Sequence, residues 1–365
     1  KFWRHLFSHD FNRYGRFNVD TYSPKIGFLK FMFIPFCSRI SFVLFVICSS
    51  SVFSFQLDSD ALDGFATELS KNYNFDRGEV RDILNFAEGS KAIVRLMSRP
   101  AEKTKPWGEY KKIFLTSKKL EQGCKFLSEN KNTLIKARRV YGVPESVITA
   151  IIGIETIYGA NTGNYRLLDS LPTLAFHYPG GNSKREKFFR YQLTEFFLLA
   201  REEGFDMREL RGSYAGAIGI PQFMPNNVRK LAVDFDGDGK KDIRMSREDA
   251  IGSVGNYLKH HGWQRDGLVY LDAKLKEGYD QNIKTNTAKL ATTIGALDAF
   301  TFDASNMPDK TRVSIVKFKE EGVLKHRIVF ENFYAIFRYN PRVKYALVVA
   351  LLASSLQQEC DLMDL

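Results

Sequence analysis

Pro144-Glu-Ser-Val-Ile-Thr-Ala-Ile-Ile-Gly-Ile-Glu155-Thr-Ile-Tyr-Gly159 is the stretch from which the rest of the chain is read. Pro144 suits a first helical position, where its missing N–H would be unsatisfied in any case, and Gly159 suits a left-handed stop just past the end. Between them Val147, Ile148, Ile151, Ile152, Ile154 and Ile157 leave no polar face, and a helix apolar all round belongs inside a protein. The pattern predicts a buried helix carrying one carboxylate, Glu155, in its last turn. Taking an ionised carboxylate out of water favours its protonated form, which is what a general acid near neutral pH requires. A structural Glu paired with an arginine, or capping a loop, fits these residues equally well.

Upstream, Leu57 to about Lys136 reads as helical: Ser59-Asp60 offers a cap, Asp76 to Leu96 holds amphipathic runs, and Leu120 to Val140 repeats apolar residues at helical spacing. Pro100 and the segment from Glu102 to Pro106 mark a loop before Trp107-Gly-Glu-Tyr110. Downstream, Phe188 to Glu203 is another amphipathic helix, and His177 among apolar residues reads as a core histidine with no chemistry assigned. Gly212-Ser-Tyr-Ala-Gly-Ala-Ile-Gly-Ile-Pro-Gln-Phe-Met-Pro225 has three glycines that let a backbone approach a neighbouring helix or a ligand closely, with Ser213 and Gln222 as polar members. A tight core turn explains the glycines but not an amide just before Phe-Met-Pro.

Asp234-Phe-Asp236-Gly-Asp238-Gly-Lys240-Lys-Asp242 begins like an EF-hand loop: carboxylates at alternate positions converge on a hard cation, Gly239 turns the chain, and the Lys240 carbonyl adds an oxygen. The twelfth loop position is Met245 rather than Glu, so a closing carboxylate must come from Glu248 or Asp249. Ca2+ is the expected ion and no organic cofactor is expected. Beyond Trp263, Leu268-Val-Tyr-Leu, Arg312 to Phe318, a Glu320-Glu-Gly322 turn and Lys325 to Phe330 read as a small antiparallel sheet, with a short helix between Thr287 and Asp298. A helix from about Pro341 to Leu356 follows Tyr339-Asn340, with Tyr345 one turn in, and the tail from Gln357 reads as frayed.

The chain has 365 residues, 44% hydrophobic and 26% charged, ordinary for a globular protein with two or three subdomains. A formal charge of +11 attracts polyanions, and the absence of a long Lys/Arg run argues against nucleic acid. Residues 1–54 alone carry +5. Within them Lys30 to Arg39, then an apolar run to Val52-Phe-Ser54, read as an export signal cleaved near Phe55, with Met32 a candidate start. The run is short and diluted with serines, so an uncleaved membrane anchor is the lesser alternative. Ile47 precedes Cys48 where a lipoprotein signal needs a small residue. Cys37, Cys48, Cys124 and Cys360 lack metal-ligand spacing, and the last two pair only if the fold brings them together.

In order along the chain, Trp107-Gly-Glu-Tyr110, Tyr141-Gly-Val-Pro144, Gly153-Ile-Glu155-Thr-Ile-Tyr-Gly159, Gly212-Ser213 through Gln222-Phe-Met-Pro225, the Asp234 loop, and Tyr339-Asn340 with Tyr345-Ala346 resemble the lytic murein transglycosylases of the B type, over roughly residues 57–356. The resemblance implies an α+β, mainly α, fold: a lysozyme-like catalytic core with an α subdomain and a small antiparallel β subdomain. It divides the chain into 1–54, extension and signal; 55–266, helical domain and core with calcium loop; 267–331, β subdomain; and 332–365, a C-terminal helix completing the groove. It implies Glu155 as catalytic acid/base, Ser213 and Gln222 at the cleaved sugar, Tyr110, Tyr339, Asn340 and Tyr345 along the groove, and Arg185 near acidic groups of the substrate. The metal set is Asp234, Asp236, Asp238, Lys240 and Asp249. Asn227 and Arg342 depart from the family pattern, where serine is usual at both.

Glycoside hydrolysis normally uses two carboxylates, whereas a single one suffices if the substrate itself is the nucleophile. The resemblance therefore implies a periplasmic, monomeric enzyme that cleaves the MurNAc-GlcNAc bond of peptidoglycan strands and leaves 1,6-anhydro ends, with membrane association only through the N-terminal segment. Three rivals predict other outcomes: a muramidase-type hydrolase leaves reducing ends, a non-catalytic peptidoglycan-binding protein leaves the polymer intact, and a calcium sensor normally needs paired complete loops.

Overall fold

The computed structural model describes residues 54–98, 105–279, 284–303 and 307–360. The leader up to Phe53, most of the loop read after Pro100, and residues 361–365 lie outside them; the start of the tail read as frayed is instead ordered, its residues 357–359 continuing the last helix and Cys360 held by a disulfide.

Local capping sets the helix boundaries. Asp58 caps α1 (Ser59–Tyr73) by accepting from the Asp60 backbone N–H, one residue ahead of the expected Ser59-Asp60 cap, and Asp76 caps α2 (Arg77–Asn85). Helices α3 (Lys91–Ser98) and α4 (Trp107–Phe114) follow. The apolar rhythm from Leu120 to Val140 belongs to two helices, α5 (Ser117–Glu129) and α6 (Lys131–Tyr141), which break at Asn130, where the side chain turns back to the Phe126 carbonyl. Then come α7 (Glu145–Thr156), α8 (Leu167–Phe176), α9 (Ser183–Glu203), α10 (Pro225–Leu231), α11 (Arg247–His260), α12 (Glu331–Tyr339) and α13 (Val343–Glu359).

Every residue of α7 except Glu155 is buried. Its neighbours α5, α6, α11 and α13 pack around it, so the helix that reads as fully apolar is the centre of the core. Ile148, Ile151 and Ile152 are wholly enclosed, and each side chain contributes about 1.5–3 kcal/mol by leaving water. Pro144 is the N-cap, extended at ψ 146°, rather than the first helical residue. Two short pairings, β1 (Ser54–Phe55) with β2 (Gly89–Ser90) and β3 (Tyr165–Arg166) with β4 (Arg211–Gly212), fasten loops of the helical part.

The sheet lies where alternation predicts it. Strands β5 (Tyr270–Leu275), β6 (Thr292–Thr293), β7 (Phe300–Thr301), β8 (Arg312–Glu320) and β9 (Val323–Val329) form one antiparallel sheet in the order β6-β8-β9-β5-β7. Glu321 and Gly322, both at positive φ, make the two-residue turn between β8 and β9. The expected helix between Thr287 and Asp298 is instead the edge strand β6 and a single 3-10 turn at Ile294–Ala296, because β-branched Thr292 and Thr293 extend the sheet beside β8. Val313, Ile315, Ile328 and Phe300 give this module its own small core. Its hairpin tip is clamped to α4: Phe318 stacks on Trp107 at 4.9 Å, and Glu320 accepts from the Trp107 indole (3.2 Å), Lys111 (3.0 Å) and Arg327 (2.7 Å). Burial opposes the Glu320 charge, but these donors outweigh it and hold the carboxyl down at about 2.

Candidate active site

The catalytic-helix candidate ends abruptly. Ile157, Tyr158 and Gly159 all take left-handed φ values (55°, 58° and 87°), so the stop falls two residues earlier than Gly159 alone predicts. A β-branched residue in this region is costly and persists only when its surroundings over-determine it. Here they do. The Tyr158 hydroxyl donates to the Lys119 carbonyl (2.8 Å), the wholly buried Lys119 ammonium donates to the Gly153 carbonyl, and the Gly159 N–H donates to the Thr156 hydroxyl (3.0 Å). A Cβ on Gly153 would stand 2.5 Å from the Tyr158 ring, so only glycine admits this fold-back.

Glu155 is thereby presented, half-buried, to a set of tyrosines. Tyr345, in the first turn of α13 and 2% exposed, donates from its hydroxyl to Glu155 Oε1 at 2.6 Å. Tyr339 lies parallel to Tyr345 with ring centres 6.5 Å apart, and its hydroxyl donates to the Pro221 carbonyl (2.6 Å). Burial first, and then the neighbouring Glu155 charge, push both phenols well above their ordinary range, so both remain donors. Tyr110 is buried between Trp107 and Phe114, and its phenol also acts on that of Tyr345. Asn340 follows the last residue of α12, between Tyr339 and the α13 entry.

The Gly212–Pro225 loop forms the adjoining wall. Ser213 is buried, and its hydroxyl accepts from the Ala217 N–H at 3.0 Å. Gln222 has φ 54°, and its side-chain amide donates to the carbonyls of Gly219 (2.8 Å) and Thr162 (3.0 Å). A non-glycine residue in this conformation marks the loop as tensioned around the amide.

In the acidic loop, Asp234, Asp236 and Asp249 each bring an oxygen within 4.8 Å of the others. Between the two closing carboxylates that sequence leaves open, the fold turns Asp249 inward, 1% exposed, and leaves Glu248 at the surface. Asp249 accepts from the N–H groups of Phe235 and Asp242, both at 2.7 Å, while its burial raises the carboxyl pKa overall. Gly237 and Gly239 turn the chain at φ 88° and 89°. The exposed Asp238 is not one of the converging trio; its carboxylate accepts from the Lys240 N–H at 2.8 Å. Three hard carboxylates on such a loop fit a calcium ion by charge and by donor type.

Residues 58–354 match the transglycosylase SLT domain family. The chain belongs to that family. Membrane-bound lytic murein transglycosylase B of Escherichia coli (strain K12) is 35% identical over 295 residues, 78% of this chain and 79% of that protein. Among solved structures, soluble lytic transglycosylase SltB1 from Pseudomonas aeruginosa is 37% identical with a TM-score of 0.76, covering 82% of this chain and 98% of that one. Escherichia coli lytic transglycosylase Slt35, solved in complex with calcium, is 32% identical with a TM-score of 0.73, covering 85% and 97%. The family fold agrees with the α+β, lysozyme-like architecture expected from sequence.

Within this transglycosylase frame, sequence reasoning missed three residues. Tyr257 of α11 packs on Tyr339 at 4.7 Å and feels the Glu155 charge; Lys119 and Thr156 hold the end of α7. Each is an ordinary helix residue by pattern, and only the tertiary contact distinguishes it. Arg185 lies over the rings of Tyr178, Phe188 and Phe189 at 5.0–5.5 Å. His177 packs edge-on against Phe55 at 4.7 Å but is only half-buried, and its Nδ1 has no hydrogen-bond partner among the described residues, so it is not the enclosed core histidine that the sequence suggests. Cys124 and Cys360 are joined by a disulfide that ties α5 to the residue after α13.

Proposed function

We propose that this transglycosylase-family chain is a peptidoglycan lytic transglycosylase in which Glu155 alone supplies and recovers the proton. The observation that carries the reading is the single half-exposed carboxylate on an otherwise buried helix, held by the Tyr345 hydroxyl at 2.6 Å. In the first step the Glu155 carboxyl proton passes to the glycosidic oxygen between MurNAc C1 and GlcNAc O4. The C1–O4 bond breaks with its electron pair on the departing oxygen, and the acetamido group beside C1 shares the developing positive charge. In the second step the Glu155 carboxylate removes the proton of the muramic 6-hydroxyl as O6 bonds to C1. The 1,6-anhydro ring closes, Glu155 is protonated again, and no water is consumed.

Tyr345 fixes the carboxyl group through both steps, since its neutral phenol donates to Oε1 while Oε2 releases and recovers the proton. Gln222 and Ser213 belong to the loop beside which the sugar substituents would sit, and the half-buried Tyr339 offers a ring to an apolar sugar face, while Tyr110, 1% exposed, backs Tyr345 rather than facing the sugar. Asp234, Asp236 and Asp249 would hold a calcium ion, with the Asp238 side chain and the Lys240 carbonyl as further oxygens; the ion would neutralise the clustered carboxylates and stiffen the loop. The Cys124–Cys360 disulfide supports an oxidising, exported location such as the periplasm. Among the described residues no helix is long and apolar enough to cross a membrane.

Incubating the parent and Glu155→Gln with purified sacculi tests the assignment, with soluble products weighed by mass spectrometry. Anhydro-muropeptides, each one water lighter than the reducing form, are expected from the parent and not from the variant. Release by the variant at the parent rate overturns the assignment.

A further inference from the structure

Thr156 follows Glu155 directly, is wholly buried, and has a hydroxyl engaged on both sides. It accepts from the Gly159 N–H (3.0 Å), which fixes the left-handed end of α7, and it donates to the Ile220 carbonyl (2.8 Å) in the Gly212–Pro225 loop, a shorter approach than the one-turn-back Ile152 carbonyl at 3.3 Å. From Ile220 the connection continues outward. The Ile220 N–H donates to the Ile243 carbonyl (2.9 Å), and the Asp242 N–H donates to Asp249 Oδ2 (2.7 Å), one of the three converging carboxylates. Gly219, at φ 72°, lets the two backbones meet: a Cβ there would stand 2.5 Å from the Ile243 carbonyl oxygen. The Gly219 carbonyl in turn accepts from the Gln222 side-chain amide (2.8 Å). Two short backbone runs, Gly219-Ile220 and Asp242-Ile243, thus meet at the Ile220–Ile243 bond, the first touching Gln222 and the residue next to Glu155 and the second touching Asp249.

We propose that Thr156 is a positioning residue, whose hydroxyl joins the Glu155 helix to the Gln222 loop and, through Ile220 and Ile243, makes glycan binding and cation binding depend on each other. A side chain that only filled space would not need both bonds. A cation that fixes the Asp249 carboxylate fixes where the Asp242 N–H must meet it, and so Ile243; Ile243 holds Ile220, whose carbonyl meets Thr156 beside the acid, and Gly219 next to it holds the Gln222 amide. Linkage is reciprocal, so a glycan that needs the same register must tighten the cation by the same factor. The inference rests on the glycan substrate and the calcium loop proposed above, and the test separates the failure of each.

The experiment is a calorimetric titration of the full chain with Ca2+, with and without saturating chitotetraose, for the parent, Thr156→Val and Thr156→Ser. In the parent, chitotetraose is expected to tighten Ca2+ about fivefold or more, the lower end of ordinary coupling. Thr156→Ser, which keeps the hydroxyl, retains that factor. Thr156→Val still binds each ligand alone, but the factor falls below about twofold, a near-complete loss of coupling. Gly219→Ala, which separates the two backbones from the other side, also loses it and serves if the valine variant does not fold. Both ligands binding the parent with no mutual effect overturns the relay and leaves the glycan reading intact, as does coupling that survives in Thr156→Val. Failure of chitotetraose to bind the parent overturns the relay and leaves the glycan reading to the sacculus assay, which tests it separately; failure of Ca2+ to bind overturns the metal site and the relay together.

Discussion

Cutting the Cys124–Cys360 disulfide is expected to cost a large part of the protein's stability while sparing the site. The bond closes a loop with a sequence separation of 236, which contains α7, the Gly212–Pro225 loop and the whole sheet. Loop-closure entropy for that length gives about 5 kcal/mol at 25 °C. Spread over about 300 ordered residues, with an unfolding entropy of about 2.1 cal/mol/K each, this lowers Tm by about 8 °C. Tyr345 sits at the opposite end of α13 from the cysteine, so its bond to Glu155 does not need the disulfide, and activity at 25 °C should persist. The assay is calorimetry of the parent and of Cys124→Ser/Cys360→Ser, each with and without dithiothreitol. Reductant should move the parent toward the double variant and leave the double variant unmoved. A double variant that melts within about 2 °C of the parent, a quarter of the shift that loop closure requires, refutes the argument.

Three other outcomes are expected, from the site, from two titrating groups outside it and from the acidic loop. Tyr345→Phe removes one hydrogen bond to a charged group, worth about 1.5–3 kcal/mol, so turnover on sacculi should fall roughly 10- to 150-fold while Tm drops by no more than about 2–5 °C. Acid should destabilise the fold in two windows. His261, which burial holds down at about 4 from an ordinary 6.5, must stay neutral in the fold while the unfolded chain takes a proton, so stability falls as pH drops from 6.5 toward 4. Glu320, held at about 2 from an ordinary 4.5, contributes stability above 4.5 that is lost as pH falls toward 2; melts of His261→Gln and Glu320→Gln should each flatten its own window. Calcium at 100 times its Kd should add about 2.7 kcal/mol, and Asp249→Asn should remove most of that gain in a thermal-shift titration.

Much of this was legible in the sequence, for physical reasons that differ from element to element. The burial of α7 follows from apolar residues recurring on every side, with the buried Glu145 at its start answered by Arg138 at 3.4 Å, and alternation with a Glu-Gly turn marks the β8–β9 hairpin. The end of α7 was not legible, because Ile157 is forced left-handed by Tyr158 reaching Lys119, a contact 39 residues away in sequence. Tyr345 was found by resemblance, but its bond to Glu155 spans 190 residues and no local pattern encodes it. Periodicity could not choose between Glu248 and Asp249, since the choice depends on which face of α11 meets Phe235 and Asp242. Thr156 looked like one more helix residue, and its role is visible only when the Ile220 carbonyl arrives from a distant loop.

The central claim is that the sugar's own hydroxyl, rather than water, closes on C1 while Glu155 carries the proton. Digesting sacculi with the parent enzyme in water enriched in heavy oxygen measures this directly, because any water attack writes the label into the new muramic end. The account predicts anhydro products with unlabelled C1 oxygen throughout. Labelled reducing ends as the main product would contradict it and make the enzyme a hydrolase.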